Sequence, residues 1–457
     1  MNQSDFLDGK ISKLYLKYLL PSIGATLVTS IYILADTIMI GRGVGATGIA
    51  ALNIVLPIFN LFFGTGVLFG VGGGVLFSVY KGRGDEKSAK EYFTAAMVLA
   101  AVFSVLYMVI FRVFFEPITR AMGSNDTMRH QVYSYGIIFV TGAPAFIFSS
   151  CLQAFVRNDK APKLSMAAVI SGGVINVILD YIFIFPMGMG MAGASLATVI
   201  SSYITVLILL THFLNPDNTL KLTKHLRVRA FGKVIINGLS SFLLELTGGI
   251  VILMFNHQLL AYVGDLGVVV YAIVSNSALI VASISNGIAQ AVQPILAVNF
   301  GAGRRERVEQ TRKLGLMTTL FAGVLFTGIG LIKPLWLIYA FVAPTEEIIY
   351  LGTTAIRIYF LSFLAAGANM LLGTYFQSVL RPVNALLISL LRGLVFNGIF
   401  VMLLPMILGV NGIWITIVIT EFLTLIIAGL MMYREKYMKR REKLEVMKET
   451  PLLEESL

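Results

Sequence analysis

The chain has 457 residues, of which 57% are hydrophobic and 13% charged, and its mean hydropathy is +0.84. Soluble globular proteins carry about 25% charged residues, so this composition excludes a soluble enzyme with an ordinary core, a disordered chain and a disulfide-stapled domain. The net charge of +11 would suggest nucleic acid in a soluble protein. Here the basic residues lie between long apolar runs, so we expect the lipid bilayer as a partner and no nucleic acid.

Apolar runs long enough to cross a bilayer follow one another along the whole chain. A membrane-spanning helix needs about 20 apolar residues. The sequence contains twelve such runs, predicted at 16–40, 52–80, 92–115, 132–156, 163–185, 191–213, 233–256, 267–299, 313–335, 347–377, 383–406 and 412–433. Residues 1–13 are polar and no cleavable signal is evident, so we expect the first span to remain in the protein.

Lysine and arginine are distributed unequally between the connecting segments. With the N-terminus in the cytoplasm, 28 of the 35 basic residues fall on the cytoplasmic side, 5 fall outside and 2 lie within spans. Positive charges near span ends are retained in the cytoplasm. The bias predicts a multi-pass protein of the plasma (cell inner) membrane with both termini cytoplasmic, and it favours an even number of spans.

The two halves of the sequence resemble each other at an offset near 219 residues. The correspondence is carried by Lys81-Gly82-Arg83-Gly84 with Phe300-Gly301-Ala302-Gly303, and by Pro186, Gly190 and Gly193 with Pro405, Gly409 and Gly412. Each half has six spans, so the repeats are parallel and related by an axis along the membrane normal. We predict an all-α integral membrane fold of twelve helices in two pseudo-two-fold-related lobes: an N-lobe at 1–213, a cytoplasmic linker at 214–232, a C-lobe at 233–433 and a cytoplasmic tail at 434–457.

Two acids in the first half are candidates for an ion site. An ionisable side chain at the bilayer centre costs about 2.5–3.5 kcal/mol on insertion scales, and such residues usually pair, face a cavity or act. Asp36 and Asp180 lie at matching predicted depth, Thr198 is near that depth, and Asn176 shares a helix face with Asp180. These hard oxygen ligands suit Na⁺, or a proton shared by buried carboxylates. The alternative is that each acid only bonds a neighbouring helix. Tyr32, one turn before Asp36, is the best candidate for a substrate cavity.

The second half carries a different set of intramembrane charges. Glu245, Arg357, Arg392 and Glu421 all fall near mid-depth, with two charges of each sign. One interpretation is a neutralised ion-pair network inside the C-lobe. The other is that Glu245 is a second titrating or cation-attracting site. Both interpretations stay open at this point.

Several segments together carry a family resemblance. They are Pro21 followed by Ala35-Asp36-Thr37-Ile38-Met39-Ile40-Gly41; the stretch from Cys151 through Gln153 and Arg157 to Pro162; the stretch from Asn176 through Asp180 to Thr198; and Gln293-Pro294 with Asn299-Phe300-Gly301-Ala302-Gly303. As a set they make the chain resemble the multidrug and toxic compound extrusion (MATE) family over essentially its whole length. The overall pattern is similar to the bacterial DinF-type branch.

The resemblance implies a twelve-helix antiporter that exports organic cations and drugs in exchange for Na⁺ or H⁺. It implies an N-lobe cation site at Asp36, Asn176, Asp180 and Thr198, with Gln153 at a helix-4 position where Asn is more usual. Some branches instead use a Glu on helix 7 and an Asp on helix 10. Glu245 matches the first, but span 10 has no Asp, so we do not expect a complete C-lobe site.

The sequence therefore predicts a secondary-active antiporter for amphipathic organic cations, functional as a monomer, with no cofactor. Asp36 and Asp180 would hold the ion if coupling is to Na⁺. An enzyme is not expected, because the loops are short and carry no catalytic cluster. The alternative function is a flippase for a lipid-linked sugar. It would need a strongly cationic cavity, for which Arg357 and Arg392 are the intramembrane candidates.

Overall fold

A computed structural model describes the backbone of residues 3–449 and the side chains of residues 6–435. All regular elements among these residues are helices. Ten helices are long and apolar enough to cross a membrane, and two bent helix pairs bring the number of spans to 12. The prediction of twelve membrane-spanning segments is confirmed.

The spans are numbered α1 to α12 in chain order. They are α1 Ile11–Gly43, α2 Ala46–Gly82, α3 Glu86–Val113, α4 Arg129–Thr141 with Ala143–Asn158, α5 Pro162–Ile184, α6 Gly190–Leu210, α7 Val228–Tyr262, α8 Asp265–Gly301, α9 Arg305–Ile332, α10 Glu346–Phe360 with Phe363–Ser378, α11 Pro382–Leu408 and α12 Val410–Glu449. Four short helices flank them: Gln3–Asp8, Phe115–Ala121, Thr211–Leu214 and Pro334–Phe341.

Most helices extend past the predicted apolar runs, as α2 does at both ends. The backbone must satisfy its own hydrogen bonds in lipid, so helices continue through the polar ends of a span. The predicted tail at 434–457 falls only partly within the structure: α12 continues to Glu449, and residues 450–457 lie outside the described residues. The lobe boundaries and the cytoplasmic placement of the termini stay predictions.

Matching backbone turns show the internal repeat. Gly45 and Gly264 precede α2 and α8 with φ of 90° and 77°, and Gly84 and Gly303 follow them with φ of 77° and 71°. Only glycine adopts this conformation without strain. Members of each pair are 219 residues apart in sequence, as the sequence repeat predicts. The bends also correspond, since α4 turns by 52° at Gly142 and α10 turns by 42° between its two helices.

The two halves meet through a reciprocal contact between α2 and α8. A Cβ on Gly82 would lie 2.1 Å from the carbonyl oxygen of Val298, and a Cβ on Gly301 would lie 1.9 Å from that of Val79. Gly82 and Val79 correspond in the repeat to Gly301 and Val298, so both halves contribute the same two positions to the contact. This is the relation expected between surfaces that are related by a two-fold axis. This contact lies on the side where α1 begins and α2 ends, here called the inner side. The backbones there approach too closely for any side chain at either glycine.

A large cavity of about 670 Å³ separates the halves on the other side of this contact. In the wall of this cavity, hydrogen bonds connect α1 of the first half to α8 of the second half. Thr26 Oγ1 donates to the Ser283 carbonyl at 2.8 Å, and the Ser30 and Ser283 hydroxyls are 2.6 Å apart. Helix α1 therefore contacts both halves of the molecule.

Candidate ion site and transport cavity

The structure brings the four predicted ion ligands together from α1, α5 and α6. Asp180 is fully buried and Asn176 is 2% exposed, while Asp36 and Thr198 are half-buried. The carboxyl groups of Asp36 and Asp180 lie close enough to interact directly. Asn176 Nδ2 is 3.5 Å from Thr198 Oγ1, which itself donates to the Ala194 carbonyl at 3.1 Å.

Small residues on α5 allow this approach. A Cβ on Gly173 would lie 3.0 Å from the ring of Tyr32 on α1, and one on Gly172 would lie 2.0 Å from Thr205 Oγ1 on α6. The two glycines come one turn before Asn176, on the stretch of α5 that leads to Asp180. Close helix packing in a membrane depends on such small residues. The sequence of α5 therefore fixes how closely α1 and α6 can approach the site.

Four carboxylate and amide oxygens of this site lack hydrogen-bond partners. Asp36 Oδ1, both carboxylate oxygens of Asp180 and Asn176 Oδ1 are buried without a hydrogen bond among the described residues. Leaving a buried acceptor unsatisfied costs about 1–3 kcal/mol, and more for a charged group. A hard cation bound by oxygen, or a proton between the carboxylates, would satisfy them. The donor set fits Na⁺ or H⁺ as a transported ion.

Two tyrosines complete the surroundings of the acids. Tyr32 is one helical turn before Asp36 on α1, interacts with it electrostatically and is absent from the lining of the large cavity, so the structure places it beside the ion site rather than on a substrate wall. Buried Tyr135 on α4 interacts with Asp36, Asp180 and Thr198. Sequence reasoning missed Tyr135, because nothing in an apolar span marks which aromatic residue faces an acid on a distant helix.

In the second half, one of the predicted charge pairs forms. Arg392 Nη2 donates to Glu421 Oε1 at 2.7 Å, and Asn369 Nδ2 donates to Glu421 Oε2 at 2.7 Å. Arg392 lies in a π-helical turn of α11, at Leu391–Val395. This carboxylate therefore has both a counter-charge and a neutral donor, as a stable buried pair requires.

The other two charges of the predicted network are elsewhere. Arg357 is exposed, while its neighbours Ile356 and Phe360 take the buried face of α10. Glu245 lines the large cavity from α7 and forms no ion pair with any described residue. The interpretation of all four residues as one ion-pair network is therefore wrong. Helix rotation separates residues that share a predicted depth.

The large cavity is lined by both halves, and its walls are rich in amides and hydroxyls. Gln153 lies here, and no hydrogen bond among the described residues joins its side chain to the acids of the ion site. The structure therefore does not place Gln153 with the predicted ligands. The face of α4 that carries it is turned to the cavity.

The sequence missed Arg157 as a cavity residue. The distribution of Lys and Arg predicts Arg157 as one of the cytoplasmic charges between spans, but it is 4% exposed, lines the cavity and donates from Nη1 to Gln290 Oε1 on α8 at 2.7 Å. Its position four residues after Gln153 is the available signal, because residues at this spacing share a helix face. Arg157 thus joins the two halves at the inner end of the cavity.

Comparisons with known proteins agree with this architecture. The multidrug export protein MepA of Staphylococcus saprophyticus subsp. saprophyticus is 25% identical over 442 residues, covering 94% of this chain and 95% of that protein. A solved structure described as an outward-facing conformation of a multidrug resistance MATE family transporter of the MOP superfamily superimposes with a TM-score of 0.87 at 21% identity, covering 94% of this chain and 97% of that one. A crystal structure of MATE in the bent conformation gives a TM-score of 0.88 at 21% identity, with 96% and 99% covered.

A family model settles the classification. The model of the MatE family matches residues 21–182 and residues 238–403, one segment in each half of the sequence. The two segments together span most of the chain, including Asp36 on α1, Asp180 on α5 and the cavity-lining parts of α7, α8, α10 and α11. This protein belongs to the MatE family.

Proposed function

We propose that this protein is a secondary-active exporter of amphipathic organic cations and drugs, driven by the inward movement of Na⁺ or H⁺. The observation that carries the proposal is the pair Asp36 and Asp180, whose unsatisfied buried oxygens lie in the half that also forms one wall of the large cavity. The relatives named as multidrug export proteins support the substrate class.

Helix α1 links the ion site to the contact between the halves. Asp36 lies six residues after Ser30, which is about 9 Å along a helix. Ser30 and Thr26 bond to Ser283 on α8. An ion that draws Asp36 toward Asp180 changes the position of α1 and with it this contact. Binding then shifts the balance between the two orientations of the cavity by the difference in ion affinity between them.

Glu245 supplies the cavity with a carboxylate for a cationic substrate. It lines the wall without a counter-charge among the described residues, whereas Glu421 on the same wall is held by Arg392. A single unpaired carboxylate attracts an organic cation and leaves the remaining contacts to amides, hydroxyls and apolar groups. The flippase alternative is weaker, because Arg357 lies outside the cavity and Arg392 is neutralised, which leaves Arg157 as the one basic residue of the described lining that is outside an ion pair.

The proposed exporter spans the plasma membrane with its inner side toward the cytoplasm and works as a monomer. The biased placement of Lys and Arg supports this orientation. One chain contains both the ion site and a cavity bounded by its own two halves. Each transport cycle can therefore be completed without a second subunit.

Transport by purified protein in proteoliposomes tests the proposal. Efflux of a fluorescent organic cation is followed with a Na⁺ gradient or a pH gradient imposed separately. We expect one gradient to drive transport, and Asp36→Asn and Asp180→Asn to reduce it to the background of empty liposomes. Asp126→Asn is the matched control, because Asp126 is exposed outside the spans. Wild-type transport by folded Asp36→Asn, with unchanged ion dependence, contradicts the mechanism.

A further inference from the structure

The inner end of the cavity contains hydrogen-bond donors that have no acceptor. Arg157 Nε and Gln293 Nε2 are buried and unpartnered among the described residues, and both residues line the cavity. Arg157 Nη2 reaches Gln293 Oε1 only at 3.5 Å, the limit of a hydrogen bond. The buried hydroxyl of Tyr18, which interacts with Arg157, is also without a partner. Arg157 Nε and Gln293 Nε2 are therefore two donors on neighbouring residues of the lining that lack an acceptor among the described residues.

The positive charge of Arg157 is also uncompensated. No described carboxylate forms an ion pair with it, and its one short bond goes to the neutral oxygen of Gln290. The acid closest in sequence, Asp159, is engaged elsewhere. Its Oδ2 is 2.8 Å from His212 Nε2 and accepts from the Thr219 amide at 2.8 Å, while Oδ1 accepts from the Thr219 hydroxyl. A charge this deeply buried normally has a counter-ion.

We propose that this end of the cavity is an anion-binding subsite, at which Arg157 and Gln293 bind a carboxylate or a similar small anionic group. The group comes either from the transported substrate or from a free anion such as chloride. If the anionic group belongs to the substrate, this inference rests on the proposed function and narrows the class of substrates. The preferred amphipathic cations carry an acidic group as well, which binds at Arg157 while the cationic part faces Glu245, which lines the same cavity from α7.

The subsite is shared between the halves. Arg157 belongs to α4 and Gln293 to α8, and both lie on the inner side, where Gly82 and Gly301 bring the halves into backbone contact. A bound anion stabilises the arrangement in which the inner side is closed. Binding of one anionic group by both residues requires the halves to come together, so substrate binding favours closure of the inner side, as export requires.

A matched pair of fluorescent probes tests the subsite on the full-length protein in nanodiscs. Rhodamine B carries a cationic ring system and a free carboxylate, and its ethyl ester carries only the cation. Binding is measured by fluorescence anisotropy in sodium gluconate. We expect the acid to bind about tenfold more tightly than the ester, since a charge-assisted hydrogen bond of this kind changes affinity by about that factor.

Variants test whether the preference for the acid over the ester depends on the proposed subsite. Arg157→Gln should remove it by weakening binding of the acid and leaving the ester unchanged. Gln293→Ala should reduce it, and this variant keeps the test decisive if Arg157→Gln does not fold. The matched control is Arg83→Gln, the same chemical change at an exposed arginine that stacks on Tyr80 outside the cavity. Arg83→Gln should keep the full preference.

Exchange of gluconate for chloride separates the two sources of the anion. If chloride weakens binding of the acid and not of the ester, a free halide occupies the same subsite. If chloride has no effect while the acid is still preferred, the substrate's own carboxylate is the ligand. Equal affinity for acid and ester in wild-type protein, in both salts, overturns the proposal. The unpartnered donors would then form hydrogen bonds with water.

This readout is independent of transport. Loss of gradient-driven efflux with an intact acid preference would contradict the proposed function and still support the anion-binding subsite. Efflux without any acid preference would remove the subsite alone.

Discussion

The N-terminal half holds Asp36 and Asp180 facing each other with their buried oxygens unpartnered, whereas the C-terminal half holds Glu421 between Arg392 and Asn369. The two halves share glycine turns and helix bends at corresponding positions. A buried carboxylate that is already paired has no need of an ion, while a pair of like charges is stable only when something neutralises it. Equivalent architecture thus contains unsatisfied carboxylates in one half and a paired carboxylate in the other, and we propose that only the first half responds to an ion.

The largest expected effect comes from breaking the fixed pair. Arg392→Met leaves Glu421 buried without its counter-charge and should lower the free energy of unfolding by about 3–5 kcal/mol. Asp180→Asn removes a like-charge contact and should leave stability unchanged or increase it. Unfolding in SDS titrations measures both. The double variant Arg392→Met/Glu421→Gln should recover most of the loss, and equal destabilisation by Arg392→Met and Asp180→Asn would erase the contrast between the halves.

Ion binding should stabilise the protein through the N-terminal half. If Na⁺ is the coupling ion, a concentration 100 times its dissociation constant raises the free energy of unfolding by about 2.7 kcal/mol. Asp36→Asn should abolish this increase, and the exposed Asp126→Asn should retain it. Thermal unfolding across a Na⁺ series, with K⁺ as the balancing ion, measures the effect. A full Na⁺ response in Asp36→Asn would place the ion elsewhere.

The two buried asparagines give a matched comparison of intermediate size. Asn369 donates to both the side chain and the backbone of Glu421 at 2.7 Å, while Asn176 makes one bond at 3.5 Å. Asn369→Ala should therefore cost about 1–2 kcal/mol more than Asn176→Ala, since bonds to a charged group are the stronger ones. Chemical unfolding of the two variants in parallel measures this difference, and a reversed order would show that Asn176 supports the fold rather than an ion.

The smallest effect tests what the halves share. Gly45 and Gly264 both have positive φ and open space where a Cβ would be added. Gly45→Ala and Gly264→Ala should each cost on the order of 1 kcal/mol, the lower end of the strain of a non-glycine residue at positive φ with extended ψ, because the added Cβ meets no neighbouring atom. Thermal unfolding of each single variant checks this equality. A large effect at only one of them would mean that the two turns are not equivalent.

The amino-acid sequence by itself determines the membrane fold and its repeat. The sequence alone identifies twelve apolar runs, the paired glycines near Gly82 and Gly301, and the acids Asp36 and Asp180. These features can be predicted because span length, turn conformation and the cost of an intramembrane charge are local properties. Asn176 and Thr198 follow from depth and helix spacing. The structure brings these four side chains together, and their role as ion ligands stays a prediction.

Only the tertiary structure decided which charges meet. It turned Arg357 outward, left Glu245 alone on the cavity wall, moved Gln153 and Arg157 into the cavity, and added Tyr135 to the acids. Hydropathy and residue counts give the depth of a side chain but not the rotation of its helix or the identity of the neighbouring helix. Those depend on packing between residues far apart in sequence, through close contacts such as those at Gly172 and Gly173.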